Sequence, residues 1–211
     1  MTTTDKYAVF GNPIKHSKSP QIHSAFARQT QQNISYRAHQ VDEGKFSDAA
    51  SSFFANGGKG LNITVPFKLD AYDFADELSA RARCAGAVNT LAMQEDGRIY
   101  GDNTDGAGLV RDICENLAWD IGGKRVLLLG AGGAIRGVLE PLIKLKPAHL
   151  LIANRTVKKA QQLARDFSQF GDVSACSFEA LRANQFDLII NGTSASLAGE
   201  LPPLPSEALT D

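Results

Sequence analysis

The sequence predicts an α/β protein of two domains, each a sheet flanked by crossover helices. Three observations carry this. Short apolar runs of strand character alternate with runs of helical period along almost the whole 211-residue chain. Turn clusters such as Gly11-Asn12-Pro13, Asn56-Gly57-Gly58 and Glu95-Asp96-Gly97 separate the runs. The pattern then starts afresh after Gly122-Gly123 with a strand, a glycine turn and a helix.

In chain order, residues 7–10 read as a buried strand. Residues 20–31 read as a helix with Ser19 as its N-cap and Pro20 in its first turn. A strand over 35–41, a helix over 46–55 and a strand over 61–65 follow, the last stopped by Pro66. Residues 76–84 read as helix, and 89–93 with 98–100 as a hairpin. An amphipathic helix over 105–117 forms a seam, which divides the chain into 1–104 and 105–211. Strands over 125–129, 149–153, 172–176 and 187–190 then alternate with helices over 134–145 and 156–167 and a short one after Ser177. Strand–helix–strand repetition implies parallel sheets with right-handed crossovers.

Composition narrows the function. Hydrophobic residues make up 43% of the chain and the net charge is −1, which suits packed cores and a small-molecule ligand. With no long run of like charge, neither a nucleic acid nor a membrane surface is an expected partner. Cys84, Cys114 and Cys176 are far apart and form no CxxC pair, so a disulfide framework and a metal site are not expected. The polar start and the short apolar runs lead to the expectation of a cytoplasmic chain.

The second half carries a cofactor signal. Gly130-Ala131-Gly132-Gly133-Ala134 lies between a buried strand and a helix start, where glycines let the backbone approach a pyrophosphate and the new helix offers its free N–H groups. Ile135 stands where the strict G-x-G-x-x-G pattern has its third glycine. An NAD site carries an acidic residue about 20 residues further on. Here the next strand ends in Asn154-Arg155-Thr156, followed by Val157, Lys158 and Lys159. Arg155 can offer a planar fork to a 2′-phosphate, so the expected cofactor is NADP in a Rossmann-like domain.

The first half places polar clusters at or near strand ends. They are Ser17-Lys18-Ser19-Pro20, Asn62 to Lys68 with Thr64 between, Gly86 to Thr90 with Asn89, and Gly101 to Gly106 with Asp105 at the seam. In parallel sheets the C-terminal strand ends make the ligand crevice. Neutral donors and acceptors, joined by Lys68 and Asp105, suit a polyhydroxylated ligand.

Together these motifs resemble the shikimate dehydrogenase family. The opening Tyr7 to Pro20, then Gly58 to Lys68, Ala85 to Thr90, Gly101 to Gly106, Gly130 to Ala134, Asn154 to Thr156 and Asp187 to Ser194 are similar to its motifs in order. The resemblance implies an N-terminal α/β substrate domain, an NADP-binding domain, and reversible oxidation of shikimate to 3-dehydroshikimate. It implies Lys68 and Asp105 as the acid–base pair, and Ser17 and Ser19 with the Lys18 backbone on the substrate carboxylate. Thr64, Asn89, Lys68 and Asp105 would hold ring hydroxyls. It allows a homodimer. It also implies a further stretch after Asp211, so the chain is expected to be a fragment, and Ser196 departs from a glycine usual in the family. A quinate/shikimate dehydrogenase using NAD, and an inactive nucleotide-binding fragment, stay open as alternatives.

Overall fold

A computed structural model describes residues 4–183, 185–195, 200–205 and 208. Ser196 lies outside the described residues. The chain divides into two compact units, Met1–Thr104 and Asp105–Asp211.

The first unit holds a six-stranded sheet in the order β2-β1-β3-β5-β6-β4. Its strands are β1 (Asp5–Gly11), β2 (Ile34–Gln40), β3 (Gly58–Ile63), β4 (Glu77–Leu78), β5 (Thr90–Met93) and β6 (Ile99–Asp102). Strand β1 pairs in parallel with β2 and β3, because helices α1 (Ser19–Thr30) and α2 (Phe46–Ala55) carry the chain back between them. The remaining half is mixed: the hairpin expected over 89–93 and 98–100 is present, and its antiparallel pairing with β3 departs from the parallel sheet expected. The short turn through Gly97 (φ 86°) joins β5 to β6 as an antiparallel hairpin, and β5 also runs antiparallel to β3. The core gathers Phe10, Phe46, Phe54, Leu61, Phe67 and Leu91, with Phe46 stacked on Phe67 at 5.5 Å between centroids.

The local expectations change at three places. Residues 76–84 are not one helix: Glu77–Leu78 is a two-residue strand paired with Tyr100 and Gly101, and α4 (Ala80–Ala85) begins only after Ser79. The Ser79 hydroxyl accepts the Ala82 N–H at 3.0 Å, a capping bond that fixes the break. The helix α3 (Lys68–Phe74), directly after the Pro66 turn, was not anticipated. Ser19, expected as the N-cap of α1, is instead its first residue, and the capping position belongs to Lys18.

The second unit is a four-stranded, wholly parallel sheet in the order β10-β7-β8-β9. Its strands are β7 (Arg125–Leu129), β8 (His149–Ala153), β9 (Val173–Cys176) and β10 (Leu188–Asn191). The expected seam helix is α5 (Asp105–Arg111), continued by a π-helical turn over Asp112–Asn116. Helix α6 (Gly133–Lys144) joins β7 to β8, and α7 (Val157–Phe167) joins β8 to β9. In β7 and β8 both alternating sets, Val126, Leu128, Leu150 and Ile152 on one face and Leu127, Leu129, Leu151 and Ala153 on the other, are buried. That explains the continuous apolar runs: a central parallel strand is covered on both sides.

Candidate active site

The substrate-side residues meet at one end of the first sheet. Ser17, Lys18 and Ser19 follow β1, and Thr64 and Lys68 follow β3. Because β5 is antiparallel to β3, its beginning lies at the same end, which brings Asn89 there. Strand β6 reverses again and delivers Asp102, Asn103 and Thr104 beside Asn89. Backbone bonds tie these segments together. The Ile63 N–H donates to the Asn89 carbonyl at 2.7 Å, the Val88 N–H to the Lys68 carbonyl at 2.8 Å, and the Asn89 N–H to the Asp102 carbonyl at 3.0 Å. Thr64 is set by its N–H bond to the Phe10 carbonyl at 2.9 Å.

Side chains extend this into a polar floor. Asn89 is buried, and its amide Nδ2 donates to Thr104 Oγ1 at 2.9 Å. Its Oδ1 accepts from the Thr104 N–H at 3.0 Å and from Thr90 Oγ1 at 2.9 Å. Thr104 is therefore not only a helix-start residue; it locks Asn89 in place. Asn103, also buried, donates to the Ala87 carbonyl at 2.9 Å. At the other edge the Ser17 hydroxyl accepts the Ser19 N–H at 3.3 Å. Asp105, the residue after Thr104, opens the second unit as the first residue of α5.

Asp102 anchors this strand end. Its Oδ1 accepts from Ser79 Oγ at 2.6 Å, Arg81 Nε at 2.6 Å and the Asn103 N–H at 2.8 Å, while Arg81 Nη2 closes a second bond to Oδ2. The Arg81 bond, and after it Ser79, hold the carboxyl below its ordinary value of 3.8 against the opposing effect of burial. A lowered folded-state value means that this stabilisation is present above the unfolded value and is lost as pH falls through the folded one. Asp102→Asn is therefore expected to flatten the fall of thermal midpoint below about pH 4, the unfolded carboxylate value. An unchanged acid limb in a pH series of melting curves would refute the assignment. Sequence reading missed Arg81 and Asp102 as a pair because 21 residues separate them.

The nucleotide side is built at the C-terminal ends of β7 and β8. Gly130 has φ 107°, and an added Cβ would sit 3.1 Å from the Gly192 carbonyl oxygen, so both the conformation and the close approach exclude a side chain. The Gly130 N–H is held by the Ala153 carbonyl at 2.8 Å. Gly132 is the N-cap of α6, and a Cβ there would meet nothing within 4 Å, so the space over the helix start is open. This suits a pyrophosphate against the N–H groups of a 12-residue helix. The missing third glycine also has an explanation. Ile135 is buried, and the tight approach is made from the opposite partner: a Cβ on Gly192 would lie 2.5 Å from Ile135 Cδ1.

At the end of β8, Asn154 Nδ2 donates to the Thr156 carbonyl at 2.9 Å and shapes the turn into α7. Arg155, Thr156, Lys158 and Lys159 are exposed and Val157 begins α7. Thr156 caps α7 by position with no side-chain bond to the helix. Arg155 has no carboxylate partner among the described residues, so its fork is not consumed by an ion pair. Among the described residues no cluster of three or more His, Cys, Asp or Glu is arranged to hold a metal ion, and no helix is long and apolar enough to cross a membrane.

Comparison with known proteins agrees with both halves. Residues 9–91 match the family model of the shikimate dehydrogenase substrate binding domain, and residues 111–198 that of shikimate / quinate 5-dehydrogenase. A protein of Chromobacterium violaceum named shikimate dehydrogenase (NADP(+)) is 59% identical over 207 residues, covering 98% of this chain and 76% of that protein. The crystal structure of an Ael1 enzyme from Pseudomonas putida superposes with a TM-score of 0.85 at 46% identity, covering 97% of this chain and 75% of the other. Shikimate 5-dehydrogenase from Thermus thermophilus, solved with NADP(H) and shikimate, superposes with a TM-score of 0.83 at 29% identity over 98% of this chain and 75% of that one. With both of its halves matched in order, and at this identity over nearly all of its length, the chain belongs to the shikimate dehydrogenase family.

Proposed function

We propose that this chain is an NADP-dependent dehydrogenase that reversibly oxidises shikimate to 3-dehydroshikimate, a step toward the aromatic amino acids. Residues 1–104 bind the substrate and residues 105–211 the cofactor. One observation carries the reading: the motif segments Ser17–Ser19, Thr64–Lys68 and Asn89 come to one sheet end, in a chain whose relatives at 59% identity bear that activity in their names.

In this reading Ser17, Ser19 and the Lys18 backbone hold the substrate carboxylate. Thr64 and Asn89 take ring hydroxyls, with Asn89 kept in one orientation by Thr104 and Thr90. Lys68 and Asp105 move the proton of the hydroxyl that becomes a ketone, because hydride can leave that carbon only as the proton departs from its oxygen. The bound nicotinamide supplies the hydride acceptor. The turn Gly130-Ala131-Gly132-Gly133-Ala134 receives the pyrophosphate, and Arg155 and Thr156 take the 2′-phosphate, with Asn154 shaping the turn and Val157, Lys158 and Lys159 flanking it. The reading includes the cytoplasm as location, in keeping with the three separated free cysteines, and a homodimer that light scattering would reveal.

The test is reduced-cofactor formation by the purified chain with shikimate or quinate, each with NADP or NAD. Shikimate with NADP is expected to give the signal, and a folded chain inactive with all four pairs would overturn the reading. A preference for quinate with NAD would select the other member of the family's chemistry. Arg155→Ala is expected to weaken NADP about 10-fold or more and leave NAD nearly unchanged, as for loss of a hydrogen bond to a charged group. Equal weakening of both cofactors, measured as their KM values, would remove the 2′-phosphate role.

A further inference from the structure

Tyr36 belongs to no motif, yet it sits where the polar clusters meet. It lies in the middle of β2, opposite Tyr7 of β1, and its ring packs with Val9 and Ile14. His23, one helical turn after Ser19 on α1, stacks on the same ring, with centroids 4.1 Å apart and planes within 4° of parallel. A ring held in this way has lost the freedom of both side-chain torsions, so its hydroxyl occupies one place.

That hydroxyl has two partners. It donates to Asn62 Oδ1 on β3 at 2.7 Å, and it shares a hydrogen bond with the Ser19 side chain. Asn62 Nδ2 lies 3.4 Å from Thr90 Oγ1, which donates to Asn89 Oδ1 at 2.9 Å. A line of polar groups thus crosses the sheet end from Ser19 through Tyr36, Asn62 and Thr90 to Asn89 and Thr104. Burial pushes the phenol up to about 12, so it stays protonated at working pH and keeps one proton to donate and lone pairs to accept with. Ser19 is the first residue of α1, and its N–H donates to the Ser17 hydroxyl at 3.3 Å.

We propose that Tyr36 is a positioning residue for substrate binding: its immobilised hydroxyl fixes where the Ser19 oxygen stands, so that a carboxylate arriving there need only redirect the serine O–H and not select a rotamer. This rests on the reading that Ser19 holds the substrate carboxylate. A charged acceptor outcompetes a neutral phenol for that proton, because charge-assisted hydrogen bonds are roughly twice as strong as neutral ones. Tyr36 touches no reacting atom in this scheme and acts through Ser19 on affinity, leaving turnover alone.

The test is a double-mutant cycle of Tyr36→Phe and Ser19→Ala, with shikimate affinity measured by calorimetry and by KM, alongside kcat and the KM for NADP. Tyr36→Phe keeps the ring and its stack on His23, and melting curves of each protein establish that it folds. Alone it is expected to weaken shikimate about 10-fold, as for one hydrogen bond in a dry site, with kcat and the NADP KM within about twofold. In the Ser19→Ala background the same change is expected to cost less than about twofold, since the group it positions is gone. Equal costs in the two backgrounds, an unchanged shikimate affinity, or parallel losses in kcat and in both KM values would each overturn the proposal. The unmutated chain in the same series separates this from the broader reading: inactivity with shikimate there defeats the function itself, whereas activity with an additive cycle defeats only the role of Tyr36.

Discussion

Lys68→Ala is expected to cut turnover with shikimate by about 100-fold or more, the typical loss for a general acid–base group, which corresponds to about 2.7 kcal/mol in the barrier. Lys68 is well placed for such a role. It is the first residue of α3, directly after the Pro66 turn, and its carbonyl accepts the Val88 N–H one residue before Asn89. The backbone carrying the amine is thus fixed to the backbone carrying a proposed hydroxyl ligand. Loss of a group that acts in the transition state lowers kcat and kcat/KM together, with little change in the NADP KM. Lys68→Arg separates charge from proton transfer: arginine keeps the positive charge but cannot give up its proton, so it is expected to rescue little. Asp105→Ala is expected to match Lys68→Ala, and the double variant to lose little more, since members of one catalytic unit are not additive. Steady-state rates near those of the unmutated chain in both single variants would end the acid–base assignment.

Phe67→Ala is expected to lower the stability of the first unit by about 3–5 kcal/mol, the range for removing a buried aromatic ring. Phe67 is 1% exposed and stacks on Phe46, which in turn meets Phe10 and Phe74 edge-on at 6.4 and 6.1 Å. Its N–H bonds back to the Thr64 carbonyl at 3.1 Å, so the same residue closes the Thr64 turn and anchors it in the core. Phe67→Leu, which leaves a smaller gap, is expected to cost distinctly less. Urea unfolding followed by far-UV circular dichroism checks both, and a loss under about 1 kcal/mol for alanine would mean that the core closes over the gap. In the alanine variant that remains folded, shikimate affinity is expected to fall as well, because Thr64 and Lys68 flank the missing ring.

Where sequence and structure agree, the signals are local. The strand over residues 149–153 and the helix over 46–55 stand at the expected bounds, since period, length and bounding turns are all written within the segment. The glycine turn after β7 is legible for the same reason: a positive φ at Gly130 demands glycine whatever surrounds it. Residues 76–84 fail this test. A two-residue strand has no period to read, and Glu77–Leu78 is a strand only because Tyr100 and Gly101 lie beside it.

The sequence by itself determined the α/β class, the dinucleotide turn, the basic end of β8 and, through ordered motifs, the family. Each of these rests on residues close together in the chain, whose conformational or charge requirements hold without distant partners. The hairpin of β5 and β6 is legible too. Only the tertiary structure decided that this hairpin pairs antiparallel with β3 and so carries Asn89 and Thr104 to the ends of β1 and β3. It alone brought Arg81 to Asp102, moved the close helix contact from Ile135 to Gly192, and set the phenol of Tyr36 between Ser19 and Asn62. The physical reason is common to all of them. A contact between residues 15 or more apart depends on the register of intervening strands, and register is set by the packing of the whole sheet.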